Sequence, residues 1–297
     1  MLLNKKIPLR YLFGKVKHEM LYILVIGLLT HYLKNHFRNQ IPDMPISIPA
    51  FIGTAISVLL SFKLNQSYDR WWEARKVWGG IVNDSRTFVI QMQSFIQAGN
   101  ENRIQVIAHR HIAWLYSLGQ ALRGLDPTEN LAPYLTETDL TTLQAHTNKP
   151  LAILQRNSLD LAGLQQEGQL PLFSLIQLNT TLVNFSNQMG MCERIKSTVF
   201  PATYRQYLHW IIYLFTIVLS IALGKIDIIF ELPLLLAIST GFFLLEKTAD
   251  SLQDPFNNQP TDTAMTAIAR NIEINIRQLL GETTIPKPIE ATDYYLS

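Results

Sequence analysis

The side chains with the widest chemical reach stand together at Ser67-Tyr-Asp-Arg-Trp-Trp-Glu-Ala-Arg-Lys, where Asp69 or Glu73 could serve as a general base. A base alone performs no reaction, and its usual companions are missing. The chain holds no GxSxG nucleophile turn, no HExxH zinc pair, no Walker loop and no GxGxxG dinucleotide turn. His109 and His111 form a close pair, but two residues apart on a helix they point to different faces, whereas metal ligation there needs i, i+4 spacing. The lone Cys192 offers neither an intrachain disulfide nor a thiolate zinc site, and suits a reducing compartment. Alternating acids and bases along one helix can satisfy each other, and that structural role is the better reading of the run from Ser67 to Lys76. No catalytic residue, metal ligand or cofactor is expected.

What must position this cluster is a set of apolar segments. Of the 297 residues, 48% are apolar and 16% charged, against about 25% charged in a typical soluble domain. The apolar residues gather in Met20 to Leu33, Pro49 to Leu64, Tyr207 to Leu223 and Ile228 to Leu245. Each falls short of the roughly 20 apolar residues that cross a bilayer, so each must extend into polar flanks or be shielded by neighbouring helices. The first two are joined by Ile41-Pro-Asp-Met-Pro and the last two by Gly224-Lys-Ile-Asp, so both pairs read as helical hairpins. Lys5, Lys6, Arg10, Lys15 and Lys17 precede the first segment, and no small-x-small cleavage site follows it. It reads as a retained span with cytosolic positive charge before it. Trp71, Trp72 and Trp210 near span ends suit the headgroup level. Both termini and the long middle section then face the cytosol.

The middle section, from about Ser67 to Phe200, reads as helical throughout. Ile104, Ile107, His111, Leu115, Leu118 and Leu122 make one stripe on a helix starting near Glu101, the pattern of a core face. Thr136 with Asp139 resembles an N-cap, and Pro150 after Asn148 and Pro171 after Gly168 suit the first turns of two more helices. After the turn-forming Asp254-Pro-Phe-Asn-Asn-Gln-Pro, Asp262 is expected to cap a last helix whose apolar face is Met265, Ile268, Ile272, Ile276 and Leu279. A formal net charge of +2, spread along the chain, gives no surface for nucleic acid. Glu231 lies inside the fourth apolar segment, where an ionisable group is costly. Near the outer end it could reach the headgroups or line a pore mouth, and the spacing does not choose between them.

Asn65-Gln-Ser-Tyr-Asp-Arg-Trp-Trp-Glu-Ala-Arg-Lys-Val-Trp-Gly resembles the signature of bacterial bestrophin homologues, with Tyr68, Asp69, Arg70, Trp71, Trp72 and Glu73 at its centre. Cys192-Glu-Arg-Ile-Lys-Ser-Thr-Val-Phe-Pro-Ala-Thr-Tyr resembles that family's entry to the third span, and Glu246-Lys-Thr-Ala-Asp-Ser-Leu-Gln-Asp-Pro-Phe-Asn its cytosolic exit from the fourth. The resemblance implies an all-α integral membrane protein, with four transmembrane helices in two hairpins plus a helical cytosolic region, assembled as a homopentamer around a central pore. One protomer would comprise a hairpin at about 18–66, a cytosolic region at about 67–203, a second hairpin at about 204–248 and a cytosolic helix and tail at 249–297. A bacterial inner membrane location follows from the same likeness, with lipids and copies of this chain as partners.

By counting back from the signature, the family's three neck positions fall on Thr54, Val58 and Phe62, one face of a helix at i, i+4, i+8. Counting back from Cys192 puts a cytosolic aperture on Ile176. An apolar ring can stop ions by dewetting without any charge. Family necks usually carry Ile, Ile or Phe, so Thr54 and Val58 depart toward a more polar outer ring and a wider middle one. The expected function is passive conduction of small monovalent ions, with chloride favoured by the family and sodium the alternative. A membrane-anchored interaction protein without conduction is the reading from another class. Animal relatives bind calcium through an acidic run, of which only Asp254 and Asp262 remain here, so no calcium dependence is expected.

Overall fold

The computed structural model describes residues 1, 8–37, 44–198, 201–291 and 294–296, and among them the chain forms nine helices and no strand. Lys5, Lys6, the Ile41 to Asp43 part of the first connection, and Val199-Phe200 lie outside the described residues. The helices fall into two compact units, one built from residues 4–71 and 199–254, the other from residues 1–3, 72–198 and 255–297.

In the first unit, helix α1 spans Leu9–His36, the opening half of α2 comes from Ser47–Phe95, and α7 and α8 span Ala202–Leu223 and Ile228–Gln253. Helix α7 ends at Leu223 and α8 opens on an N-cap at Asp227, whose carboxylate accepts the Ile229 amide at 2.9 Å, so the Gly224-Lys-Ile-Asp connection closes a helical hairpin. Among the described residues, three helices are long and apolar enough to cross a membrane: α2, α7 and α8. Helix α1 is not among them, because its apolar run is flanked by Lys15, Lys17, Glu19 and Lys34. It packs on α7 and α8, burying Val16, Ile23 and Gly27. Gly27 permits the close approach: a Cβ there would sit 2.7 Å from Leu232 Cδ2 and 2.9 Å from Leu235 Cδ2. Leu21, Tyr22, Val25, Leu28, Leu29 and Tyr32 stay exposed on the other side, the distribution of a helix facing lipid.

The second unit packs the latter half of α2 with α3 (Glu101–Arg123), α4 (Glu137–Gln144), α5 (Lys149–Gln166), α6 (Leu172–Ser197) and α9 (Met265–Leu279). The whole α3 stripe from Ile104 to Leu122 is buried. Thr136 and Asp139 form a full capping box, the Thr136 hydroxyl accepting the Asp139 amide at 3.2 Å. Asn148 caps α5 by accepting the Leu151 amide at 3.1 Å. Asp262, expected to cap the last helix, does not. The Thr263 amide donates to the Pro255 carbonyl at 3.1 Å, which holds the chain in a turn, and α9 begins only at Met265 with Ala264 as its N-cap. Cys192 is buried against this core, and loss of water pushes its thiol up to about 12.

Buried polar groups order this unit, Arg110 and His111 of α3 among them. Arg110 on α3 reaches Asp139 on α4 at 3.1 Å, Asp160 at 2.6 Å and the Asn157 amide oxygen at 3.2 Å on α5, so one guanidinium ties three helices. His111 is fully buried among Phe88, Trp114 and Phe185, and its Nε2 lies 2.8 Å from the Ser85 hydroxyl, which donates to the Ile81 carbonyl. Burial drives its imidazole down to about 3.

Arg110→Met should cost about 3–5 kcal/mol in denaturant unfolding, because Asp139 would remain buried without its main partner. His111 supplies a pH signature. As pH falls from its unfolded value near 6.5 toward 3, the unfolded chain takes up a proton that the folded one refuses, so stability drops by up to about 1.4 kcal/mol per pH unit. In His111→Phe, that part of the slope should vanish from a series of unfolding midpoints measured against pH.

Candidate ion pathway

The first half of α2 presents one uncovered face. Thr54, Val58 and Phe62 line up along it at successive turns, with Val58 51% and Phe62 63% exposed, and Phe51 continues the line at 77%. The opposite side, with Ile56 and Leu60, is buried against Leu208, Ile212 and Phe215 of α7. Apolar side chains this exposed on a membrane-length helix need either lipid or another chain against them. Thr54 differs from its sequence-level expectation in one respect. Its hydroxyl donates to the Ala50 carbonyl at 2.9 Å, and Ser57 does the same to Gly53 at 2.8 Å, so the Thr54 proton is committed to its own helix and only lone pairs and the methyl remain to face outward.

Ile176 belongs to the other unit, on α6. It is 55% exposed, with Phe173 one turn before it at 85% and Thr180 one turn after, also uncovered.

The contacts of the signature cluster reach beyond its own helix. Arg70 Nε donates to the Gln253 carbonyl at the end of α8 at 2.9 Å, and Glu73 accepts from Arg194 of α6 at 2.6 Å. Tyr68 stacks on Trp71 with ring centroids 6.0 Å apart, and Trp72 is 45% exposed. Asp69 is exposed. No group of three or more metal-ligating side chains is found among the described residues.

Glu231, placed by its sequence position near a span end, is turned inward in the protomer. It is fully buried between α1, α7 and α8, its carboxylate accepting from the Ser220 hydroxyl at 3.0 Å and lying 2.9 Å from His31 Nδ1. Thr30 touches Ser220 in turn, and Asn35 Nδ2 meets His31 Nε2 at 2.9 Å. A carboxylate so placed is tolerable because its partners take the place of water.

A second buried charge group lies toward the far end of α8 and is absent from the sequence-level reading. Lys63 of α2, wholly buried, contacts Asp250 at 2.8 Å and Glu246 at 3.8 Å, while His209 Nδ1 lies 3.1 Å from Glu246. Glu19 of α1 pairs with Lys247 at 2.9 Å. A lysine inside the apolar run from Pro49 to Leu64 was the available signal, since an ionisable residue there requires a partner. Which partner it finds depends on residues far along the chain.

Known proteins place these features in context. The description "Bacterial/Fungal Bestrophin protein" matches residues 11–278. Over 274 residues the chain is 33% identical to the voltage-dependent anion channel-forming protein YneE of Escherichia coli K12, covering 92% of this chain and 88% of that one. A protein of Ralstonia nicotianae with the same channel-forming description is 29% identical over 279 residues, covering 92% of this chain and 90% of its own. The crystal structure of a bacterial bestrophin homologue from Klebsiella pneumoniae superposes with a TM-score of 0.84 at 25% identity, over 91% of this chain and 100% of that one. A match of this extent, running from α1 through α9 and joined to an all-helical fold of the same shape, makes the chain a member of the bacterial and fungal bestrophin family.

Proposed function

We propose that this chain is the subunit of a membrane channel that conducts small anions passively and in a voltage-dependent way, without a chemical step. The observation that carries the reading is the uncovered apolar line Phe51, Val58 and Phe62 on α2, a helix of membrane length in a chain whose relatives are named as anion channel-forming proteins. Five copies around a closed axis would turn that face inward, and rings of Val58 and Phe62 would form a neck that passes ions only when wetted. Ile176 would form the second constriction. In this arrangement α1 serves as a fourth span, its short apolar run compensated by the cover that α7 and α8 give it. The hairpins at about 18–66 and 204–248 lie in a bacterial inner membrane, with the region at about 67–203, the stretch 249–297 and both termini in the cytosol.

A sodium-conducting channel of the same fold is the second reading, and Thr54 favours it. With its proton held by the Ala50 carbonyl, an outer ring of Thr54 hydroxyls offers lone pairs, which suit a cation better than an anion.

Liposomes containing the purified protein, under opposed potassium chloride and sodium gluconate gradients, test both readings while the oligomer's mass is determined alongside. Flux from a pentamer with a reversal potential near that of chloride is the expected result, and a reversal potential near that of sodium selects the second reading. Val58→Leu should lower single-channel conductance and Ile176→Ala should alter it, whereas Arg70→Gln should reduce the yield of assembled protein by removing the Gln253 contact. A well-formed oligomer that passes no ion even with Val58→Ala and Ile176→Ala combined would leave an interaction protein rather than a channel.

A further inference from the structure

Lys63 follows Phe62 directly, about 100° further round the helix. Phe62 is 63% exposed, whereas Lys63 is wholly buried and its ammonium is shared by Asp250 and Glu246, one turn apart on α8. Two further polar contacts hold α2 on the same side. The Tyr204 hydroxyl donates to the Leu59 carbonyl at 2.9 Å, one turn before Lys63, and Arg70 donates to the Gln253 carbonyl at 2.9 Å, two turns after it. At 3.6 residues per turn, Leu59, Lys63 and Arg70 fall in one sector of the helix, and Thr54, Val58 and Phe62 in another roughly a third of a turn away. The rotation of α2 about its own axis therefore decides both sets of contacts together.

A buried ammonium is an expensive way to hold two helices together, because both charges lose their water and apolar packing would serve at lower cost. What it adds is register. Apolar side chains tolerate small rotations and slips, but an ammonium 2.8 Å from one carboxylate and 3.8 Å from another loses that charge pairing when the helix turns, and is then left in a medium that cannot solvate it. His209 on α7 completes the arrangement by meeting Glu246 from the side away from Lys63.

We propose that Lys63 is a positioning residue for conduction: by pinning α2 to Glu246 and Asp250 of α8, it fixes the angle at which Val58 and Phe62 face the ion path and so sets the width of the neck. The proposal rests on reading that face as the neck.

Single-channel recording from bilayers, with the oligomer's mass measured in parallel, tests it using K63R, D250N, the double variant K63M/D250N, and V58L as a control. K63M/D250N removes the ammonium together with one carboxylate and leaves Glu246 with His209, so no bare pair of acids is created. The expected result is an oligomer of unchanged mass whose openings spread over more conductance levels than those of the unaltered chain, with a reduced anion-to-cation permeability ratio, while K63R retains the original conductance and ratio. An assembled K63M/D250N channel with unaltered conductance and permeability ratio would overturn the proposal. So would failure of both K63M/D250N and D250N to assemble, which would make the contact a requirement of folding. A changed conductance in V58L beside an unchanged one in K63M/D250N removes only the role of Lys63; no change in either removes the neck itself.

Discussion

A charge withdrawn from water must be met by an opposite charge or a dipole at contact distance, and this condition governs how α1, α2, α7 and α8 come together. The apolar residues of these helices would accept many packings, because one branched side chain against another carries little directional information. The polar residues accept few. Glu231 has to find Ser220 and His31, Lys63 has to find Asp250, and Glu19 has to find Lys247, and these pairings together tie all four helices. Each pair sits near an end of the bundle, and between them the Thr216 hydroxyl donates to Ser239 at 3.1 Å. The helices are thus located by their ends and merely filled between, which leaves the uncovered face of α2 free to carry whatever side chains its outward role demands.

The second unit follows a different economy. Its core is a contiguous apolar mass from α2, α3, α5, α6 and α9, and its polar centres are enclosed within that mass. Arg110 performs for α3, α4 and α5 the locating task that Lys63 performs in the other unit, but beside a capping box whose own Asp139 it shares. One carboxylate therefore stops a helix end and receives a guanidinium from another helix, so the short α4 is fixed in place despite having only eight residues.

Much of this was legible in the sequence wherever the deciding interactions are local. The capping box at Thr136, the Asn148 cap and the α3 stripe all depend on residues three or four apart, and all are present. So is the Gly224-Lys-Ile-Asp connection. Asp262 shows where this stops: its residue type suits a cap, but a bond from Thr263 back to Pro255 determines where the helix can begin. The charges from Ser67 to Lys76 show the same limit, since Arg70 and Glu73 meet partners more than a hundred residues away, which helical spacing does not announce. Glu231 is conspicuous as an ionisable residue in an apolar run while Lys63, placed in the same way, is absent from the sequence-level reading, and composition says neither which distant side chain closes the contact nor that Glu231 faces inward. The line Thr54, Val58 and Phe62 comes from the family resemblance, by counting back from the signature, yet the commitment of the Thr54 proton to Ala50 is a matter of rotamer that no spacing reveals.

Cys192 is the only cysteine of the chain, and it is both enclosed by the α6 core and held as a thiol far above neutral pH. The nucleophile in alkylation and in disulfide exchange is the thiolate, so this sulfur is inert toward maleimides and methanethiosulfonates in the folded protein. The molecule is in effect a cysteine-free background supplied by nature. A thiol introduced anywhere along the exposed side of α2 or α6 would be the sole reactive sulfur in its subunit, and its rate of modification from either aqueous compartment would report directly on which turns of these helices water reaches.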